Sequence, residues 1–402
     1  MKISWPSPKP LLVLFALALA SCATLERKAA VPPDLRRQTS VLGIPNARFF
    51  PDQPGPMMEE QRRALIRESR YLGVAPGGEL PKAHLLSLSG GGDGGAFGAG
   101  VMVGWTAHGD RPTFKLVTGV STGSLIAPFA FLGSDFDDEL TDVYTNTGPA
   151  QIFTRRFIVT AALAEDALSD TAPLFATISK YVNERMMARI AEEYGKGRIL
   201  LIQTTDLDAG YPVVWNIGAI ATSGGPDALH LIRRIMLASA SIPAAFPPVM
   251  FNVEAGGEAW QEMHVDGGAS SQAFLVPPSL DPRIAQAEAG HHSRKSAAYI
   301  IRNSRLTTEW SDVERQTLSV GGKAVSTLIN FSGISDFYRI YMETRRTNAS
   351  FNLAYIGPDF HAEHKEDFDT AYMRALFRYG YDKAVKGYPW LNAPPGFAAA
   401  VR

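Results

Sequence analysis

The sequence predicts an α/β fold in which helices cover both faces of a mostly parallel central sheet. Short apolar runs of strand length alternate along the chain with longer apolar stretches of helical spacing. This alternation is typical of parallel sheets, because their crossover connections are helices. The 402 residues are 46% hydrophobic and 20% charged, which is enough apolar material for a large core. We therefore expect a folded globular protein.

The elements follow from these runs in chain order. Gly195 and Gly197 end one long helical stretch, and a proline near its start suits a first helical turn. The predicted strands are 85–89, 114–118, 198–203, 212–216, 264–265, 297–302 and 351–356. The predicted helices are 96–105, 122–132, 171–194, 311–330, 335–347 and 367–386.

The charge and cysteine content restrict the partners and the stabilising bonds. The chain has 39 basic and 40 acidic side chains, a formal net charge of −1. Nucleic-acid binding would require a concentrated basic surface, so we expect no nucleic-acid partner. The chain has 1 cysteine, which excludes an internal disulfide. The fold must therefore depend on packing.

The amino terminus has the layout of a secretory signal. Two lysines precede the apolar run Leu11–Ala20, which is too short to cross a bilayer. Ser21-Cys22 directly after this run resembles the lipobox of bacterial lipoproteins. We predict that residues 1–21 are a signal peptide and that Cys22 is lipidated and tethers the protein to the membrane. Ala23, in place of aspartate, favours the outer membrane of the cell envelope, facing the periplasm. The alternative is an ordinary cleaved signal followed by a free thiol.

Three further regions are predicted after the signal. Residues 22–60 contain 6 prolines and little apolar periodicity, which predicts a lipid-anchored extended tether. Residues 61–310 hold the alternating strands and helices and form the predicted catalytic domain. Residues 311–402 form a mostly helical C-terminal part that packs on it.

A candidate nucleophile lies between a predicted strand and a predicted helix. Gly119-Val120-Ser121-Thr122-Gly123 has the G-x-S-x-G pattern of a nucleophile elbow. Gly119 and Gly123 would permit a strained turn that exposes the Ser121 hydroxyl at the positive end of a helix. The alternative is an ordinary Ser/Gly turn.

A glycine-rich loop precedes this elbow, again between a strand and a helix. Its centre is Gly90-Gly91-Gly92-Asp93-Gly94-Gly95. We expect these glycines to provide access to backbone N–H groups, which can stabilise an oxyanion or hold a phosphate, and to have no packing role. Nucleotide binding is the alternative, but Gly94-Gly95 stand where a P-loop would place its lysine and hydroxyl. An oxyanion hole for acyl transfer fits better.

The third candidate motif is Asp266-Gly267-Gly268, an acid at the end of a short strand. A buried carboxylate beside a serine can accept its proton directly if desolvation raises its pKa. A plain Asp-Gly turn is the alternative interpretation.

These three motifs, in this order, resemble the patatin-like lipid acyl hydrolases. Two further segments support the resemblance, Thr204–Gly210 and Ala238–Pro248, so that it extends over about residues 84–305. The resemblance implies a three-layer α/β/α fold and a Ser-Asp dyad, with Ser121 as nucleophile and Asp266 as base. It implies an oxyanion hole formed by the backbone of the glycine loop. The implied function is a serine acyl hydrolase of esterase, phospholipase A or lysophospholipase type that forms an acyl-enzyme.

The sequence departs from the family at one position. The family usually carries arginine or lysine in the glycine loop, whereas this chain has Gly94 preceded by Asp93. The departure favours a neutral or small ester over a phospholipid with a charged headgroup.

Other functions remain as alternatives. An α/β-hydrolase would combine Ser121 with an acid and one of the downstream histidines. A tethered scaffold would keep the fold without activity. His361 and His364 lie in a charged stretch that we interpret as solvated, and we expect no metal and no cofactor. The expected partners are a lipid or ester substrate and, through Cys22, the membrane surface.

Overall fold

The computed structural model describes residues 27–155, 167, 169–276, 281–307, 310, 312–395 and 397. The predicted signal and Cys22 lie outside the described residues. The strands are β1 Arg48–Phe49, β2 Ala83–Leu88, β3 Leu116–Val120, β4 Thr154–Arg155, β5 Ser169–Asp170, β6 Ile199–Asp206, β7 Tyr211–Asn216, β8 Val249–Ala255, β9 Glu258–Asp266, β10 Ser296–Arg302 and β11 Ser350–Tyr355. The helices are α1 Pro54–Leu72, α2 Gly95–His108, α3 Thr122–Leu132, α4 Asp137–Asn146, α5 Pro149–Ile152, α6 Ala172–Tyr181, α7 Glu184–Gly195, α8 Ile217–Ser223, α9 Pro226–Ser239, α10 Pro282–Glu288, α11 Thr317–Thr347 and α12 Thr370–Ala384.

One large sheet organises the described residues. Its strand order is β1-β7-β6-β3-β2-β10-β11, and the β8–β9 hairpin joins it through β6. The adjacent strands β6, β3, β2, β10 and β11 are parallel, whereas β7, β1 and β9 run antiparallel to their neighbours. The prediction of a mostly parallel central sheet is confirmed.

Helices cover both faces of this sheet. Leu86 and Leu88 of β2 pack with α2 and α3 on one face. On the other face, Leu116 and Leu201 pack against α1, and β10 packs against α11. Successive strand residues point to opposite faces, so these strands bury apolar side chains on both. The three-layer α/β/α prediction is confirmed.

The tether prediction is wrong for the described residues before 61. β1 pairs with β7, and Phe49 and Phe50 are buried in the core. The buried Arg48 guanidinium pairs with Glu262 at 2.5 Å. α1 begins at Pro54, where proline is tolerated because the first helical N–H groups have no partner within the helix. Pro54 and Pro56 therefore belong to a helix start, and the folded body begins before residue 61.

The C-terminal part completes the sheet as well as packing on it. β11 pairs in parallel with β10 across six residue pairs. The two helices predicted at 311–330 and 335–347 are the single helix α11. Conversely, the helix predicted at 171–194 is divided into α6 and α7, because Asn183 caps α7 by accepting from the Met186 N–H. Among the described helices, none is both long and apolar enough to cross a membrane.

Candidate active site

The sheet topology brings Ser121 and Asp266 together. β3 leaves β6 at the pair Val120–Gln203, and β9 pairs with β6 from Thr204 to Asp206. Because β7 occupies the other edge of β6 over this stretch, β9 must continue on the edge that β3 leaves. Ser121 follows the last residue of β3, and Asp266, the last residue of β9, lies opposite Thr204. The ends of β3 and β9 therefore face each other along one edge of β6, which places Ser121 close to Asp266 although they are 145 positions apart.

The turn at Ser121 has the strain of a nucleophile elbow. Ser121 has φ 54° and ψ −128°, a conformation that L-residues rarely adopt. A Cβ on Gly123 would lie 2.2 Å from the Leu88 carbonyl oxygen, and a Cβ on Gly119 would lie 2.5 Å from the Gly123 oxygen. Both glycines are therefore required by close packing around the serine.

The Ser121 hydroxyl lies close enough to the Asp266 carboxyl to lower its pKa as a hydrogen-bond donor. Both residues are buried. Burial raises the pKa of Asp266 to about 7, although hydrogen bonds from Ser121 and the Gly268 N–H oppose the rise. The Gly268 N–H donates to the Asp266 Oδ1 at 2.7 Å. A carboxyl with this pKa can accept a proton and return it near neutral pH. The arrangement is suited to general-base chemistry on the serine.

Ser239 and Ser241 hold both members of this pair, and the sequence motifs did not indicate them. The Ser121 N–H donates to the Ser239 Oγ at 3.0 Å, and that hydroxyl donates to the Gln203 oxygen at 2.7 Å. The Asp266 N–H donates to the Ser241 oxygen at 2.8 Å. The segment Ala238–Pro248 was noted only as family-like, and no local signal marked these serines as positioning residues.

Three of the six glycine-loop amides predicted for the oxyanion hole are used inside the protein. The Gly90 N–H donates to the Gln272 oxygen at 3.1 Å, and the Gly94 N–H to the Gly91 oxygen at 2.9 Å. The Gly95 N–H donates to carbonyls of its own turn. In the described part of the chain, the available donors of this loop are therefore the N–H groups of Gly91, Gly92 and Asp93.

The glycines also have a packing role, so the expectation of access alone is wrong. Cβ atoms on Gly91 and Gly94 would lie 2.0 Å and 2.1 Å from the Asn303 oxygen. Asn303 follows β10 and binds the start of the loop, because its Nδ2 donates to the Ser89 oxygen at 2.7 Å and its N–H to the Ser89 Oγ at 2.9 Å. Asn303 was missed because it lies outside the motifs.

Gly267 and Gly268 allow the acid loop to pack closely. A Cβ on Gly267 would lie 2.4 Å from the Gln203 oxygen, and one on Gly268 would lie 2.1 Å from the Gln272 Nε2. Gln272 therefore contacts both loops, because its backbone oxygen accepts a hydrogen bond from the Gly90 N–H. The acid loop and the glycine loop form one packed unit.

The Asp93 side chain is bound by the C-terminal part of the chain. Its Oδ2 accepts from the Phe368 N–H at 3.0 Å and from the His364 Nε2 at 2.7 Å. Because a carboxylate only accepts, the proton of the ring lies on Nε2. His361 and His364 are both exposed, in agreement with the interpretation of this stretch as solvated, and His364 in addition contacts Asp93.

His264 lies two residues before Asp266, but its ring nitrogens are engaged elsewhere. Nδ1 hydrogen-bonds the Thr204 Oγ1 at 2.8 Å, and Nε2 contacts the Glu262 Oε2 at 3.1 Å. In the described part of the chain, ligand atoms of Asp206, Glu262 and His264 lie within 4.8 Å of one another. Since Glu262 is already paired with the Arg48 cation, we interpret this cluster as a polar core network.

An apolar cavity adjoins the glycine loop. It has a volume of about 50 Å³ and includes Gly92, Asp93 and Thr122 in its walls. A larger cavity of about 110 Å³ opens at the other ends of the strands, where β2, β3 and β6 begin. None of the residues discussed above around Ser121 lines it, so the smaller cavity is the relevant one.

Residues 86–276 match the model of the patatin-like phospholipase family. The chain also has a structural similarity to the crystal structure of VipD from Legionella pneumophila, with a TM-score of 0.37 and 11% identity over 77% of this chain and 67% of that one. No curated protein matches the sequence. Residues 86–276 thus resemble a patatin-like phospholipase domain, and this match indicates a carboxylic ester hydrolase.

Proposed function

We propose that the chain hydrolyses carboxylic esters of lipid acyl groups through a Ser121–Asp266 dyad. The observation that carries the proposal is the placement of the Ser121 hydroxyl beside the buried Asp266 carboxyl, whose pKa burial raises to about 7. The strained elbow at Ser121 adds support, because strain of this kind concentrates at functional sites.

The proposed reaction has two steps. The Ser121 oxygen attacks the ester carbonyl as its proton passes to Asp266, and Asp266 returns that proton to the leaving alkoxide, which departs as the alcohol. A water then attacks the acyl-enzyme, gives a proton to Asp266 and releases the carboxylic acid, while Asp266 returns the proton to Ser121. The N–H groups of Gly91, Gly92 and Asp93 and the positive end of α3 stabilise the oxyanion in both steps.

The preferred substrate is a neutral or small ester. The loop carries Gly94 where the family usually has a cation, and the carboxylate of the preceding Asp93 would repel an anionic phosphate. We therefore expect faster hydrolysis of uncharged esters than of diacyl phospholipids.

The test is a substrate panel run with the wild type and Ser121→Ala. The panel contains soluble p-nitrophenyl esters, lysophospholipids and diacyl phospholipids. The expected result is hydrolysis that requires Ser121 and is fastest on the neutral esters. Absence of Ser121-dependent hydrolysis of every ester would refute the proposal and favour a scaffold role.

We also propose that Cys22 is lipidated and tethers the protein to the bacterial cell envelope. The support is the sequence alone, in which this cysteine follows a short apolar run and small residues. In bacteria that process lipoproteins, metabolic labelling with a fatty acid should label the wild type and leave Cys22→Ser unlabelled. Equal labelling of both proteins would refute the lipid anchor.

A further inference from the structure

The cavity beside the glycine loop is built for an apolar chain. The side chains that line it from α3, α4 and α6 are mostly apolar, and they include Leu125, Phe129 and Ile178. Asp93 is the only charged residue among the described residues that line it. The Tyr144 hydroxyl is also engaged, because it hydrogen-bonds the Thr122 Oγ1 at 2.7 Å. An apolar ligand would therefore leave the polar groups of the wall satisfied.

One wall of this cavity comes from outside the family-matched residues. Phe368 and Met373 line it, and both follow the matched range 86–276. Phe368 also packs edge to face against Phe153, with ring centroids 6.1 Å apart. The C-terminal part therefore shapes a space that begins at the proposed oxyanion donors.

Phe368 is held in place by Asp93. Its backbone has φ 63°, which is a strained conformation for a bulky residue. The Phe368 N–H donates to the Asp93 Oδ2, which also accepts from His364. His364 in turn packs against Tyr372 in a tilted arrangement, with ring centroids 4.3 Å apart. The acid in the glycine loop thus acts as the anchor for the wall that carries Phe368.

From this geometry we infer that the cavity binds the acyl chain of the substrate, and that Phe368, positioned by the Asp93–His364 contact, determines acyl-chain preference. The inference rests on the proposed esterase function. With the carbonyl at Ser121 and the oxyanion at the glycine loop, the acyl chain extends past Thr122 between α3 and Phe368. Asp93, which precedes the Gly94 that stands in place of the family's usual cation, therefore selects the tail of the substrate instead of its headgroup.

The experiment measures the ratio of kcat/KM for p-nitrophenyl octanoate to that for p-nitrophenyl acetate. Leu125→Trp fills the cavity, and Phe368→Ala opens its wall. Each variant should lower this ratio about tenfold, because the octanoate chain loses buried apolar contact whereas the acetate does not reach the cavity. Val320→Trp, at an exposed position of α11, is the matched control and should keep the wild-type ratio.

His364 is tested as a positioning residue by conservative rescue. His364→Ala should lower the same ratio about threefold, which is a smaller change than the one expected for loss of the Phe368 ring. His364→Gln should restore the ratio, because the amide can donate to Asp93. A merely structural role would instead lower both kcat/KM values together and leave the ratio unchanged.

The outcomes separate the two proposals. A wild type that hydrolyses acetate through Ser121, combined with an unchanged ratio in Leu125→Trp and Phe368→Ala, would overturn the acyl-chain inference and leave the esterase function intact. Loss of all Ser121-dependent hydrolysis in the wild type would overturn the esterase function and this inference with it.

Discussion

Replacing Asp266 with asparagine should abolish hydrolysis and at the same time stabilise the protein at alkaline pH. Asparagine keeps the shape of the side chain and an oxygen that can accept from the Gly268 N–H. It removes the proton acceptor that Ser121 requires in the proposed reaction. It also removes a buried negative charge, and no cation is among the groups that lower the pKa of this carboxyl.

The size of the stabilisation follows from the pKa of Asp266. Burial raises the pKa from 3.8 to about 7, and a shift of about three units corresponds to roughly 4 kcal/mol as an upper bound. Because the folded-state pKa of an acid is raised, the wild type is relatively most stable below the unfolded pKa. It loses stability as the pH rises through the folded pKa. The advantage of Asp266→Asn should therefore be small near pH 4 and should reach about 2–4 kcal/mol by about pH 8.

Denaturant unfolding of the wild type and Asp266→Asn at these two pH values measures the difference. Ser121→Ala serves as the control for loss of activity, because it also removes hydrolysis but leaves the carboxyl in place. It should remain less stable than Asp266→Asn at about pH 8, since losing the serine hydrogen bond raises the pKa of Asp266 further. A variant advantage that does not change with pH would refute the reasoning.

Three other changes test the supporting structure. Ser239→Ala leaves the Ser121 N–H without its acceptor and should lower kcat/KM about tenfold; unchanged steady-state kinetics would contradict its positioning role. Burial raises the pKa of Glu343 to about 7, so this residue destabilises the wild type as the pH rises. In chemical unfolding, Glu343→Gln should therefore raise the free energy of unfolding by about 1–3 kcal/mol at about pH 8 and by little near pH 4.5. An equal increase at both pH values would argue against the titration of Glu343. Arg48→Met removes the cation that pairs with the buried Glu262 and should lower the free energy of unfolding by about 3–5 kcal/mol. The double variant with Glu262→Leu should recover most of that loss, whereas no recovery would contradict the pairing.

The central part of the site was predictable because its geometry requires particular residues. Ser121 needs small neighbours, and the close contacts at Gly119 and Gly123 leave no room for a Cβ. Asp266 needs the tight turn that Gly267 permits. Such steric requirements leave a short local pattern in the sequence, and the spacing of strand and helix around each pattern predicted the α/β fold.

The positioning residues were not predictable in this way. Ser239 and Asn303 act through one hydroxyl or one amide that reaches a distant backbone group, and neither has a distinctive neighbourhood in the sequence. The Asp93–His364 contact joins residues that are 271 positions apart. Only the folded sheet brings them together.

The failed tether prediction has a related cause. Prolines before residue 60 were interpreted as linker residues, but Pro54 begins a helix. β1 has only two residues, which is too short for an alternating pattern to be recognised. Its stability comes from pairing with β7 and from the buried Arg48–Glu262 contact, both of which are long-range.

The most direct test of proton transfer from Ser121 to Asp266 is the phosphonylation of Ser121. The measurement is the rate at which a small fluorophosphonate modifies the protein, with the modified residue identified by peptide mass spectrometry. The wild type should be labelled on Ser121, and Asp266→Asn should react at least about a hundredfold more slowly. His230→Ala and His292→Ala, which change exposed residues, should react like the wild type. Rapid labelling of Asp266→Asn together with an unreactive histidine variant would contradict the dyad and assign the base to an imidazole.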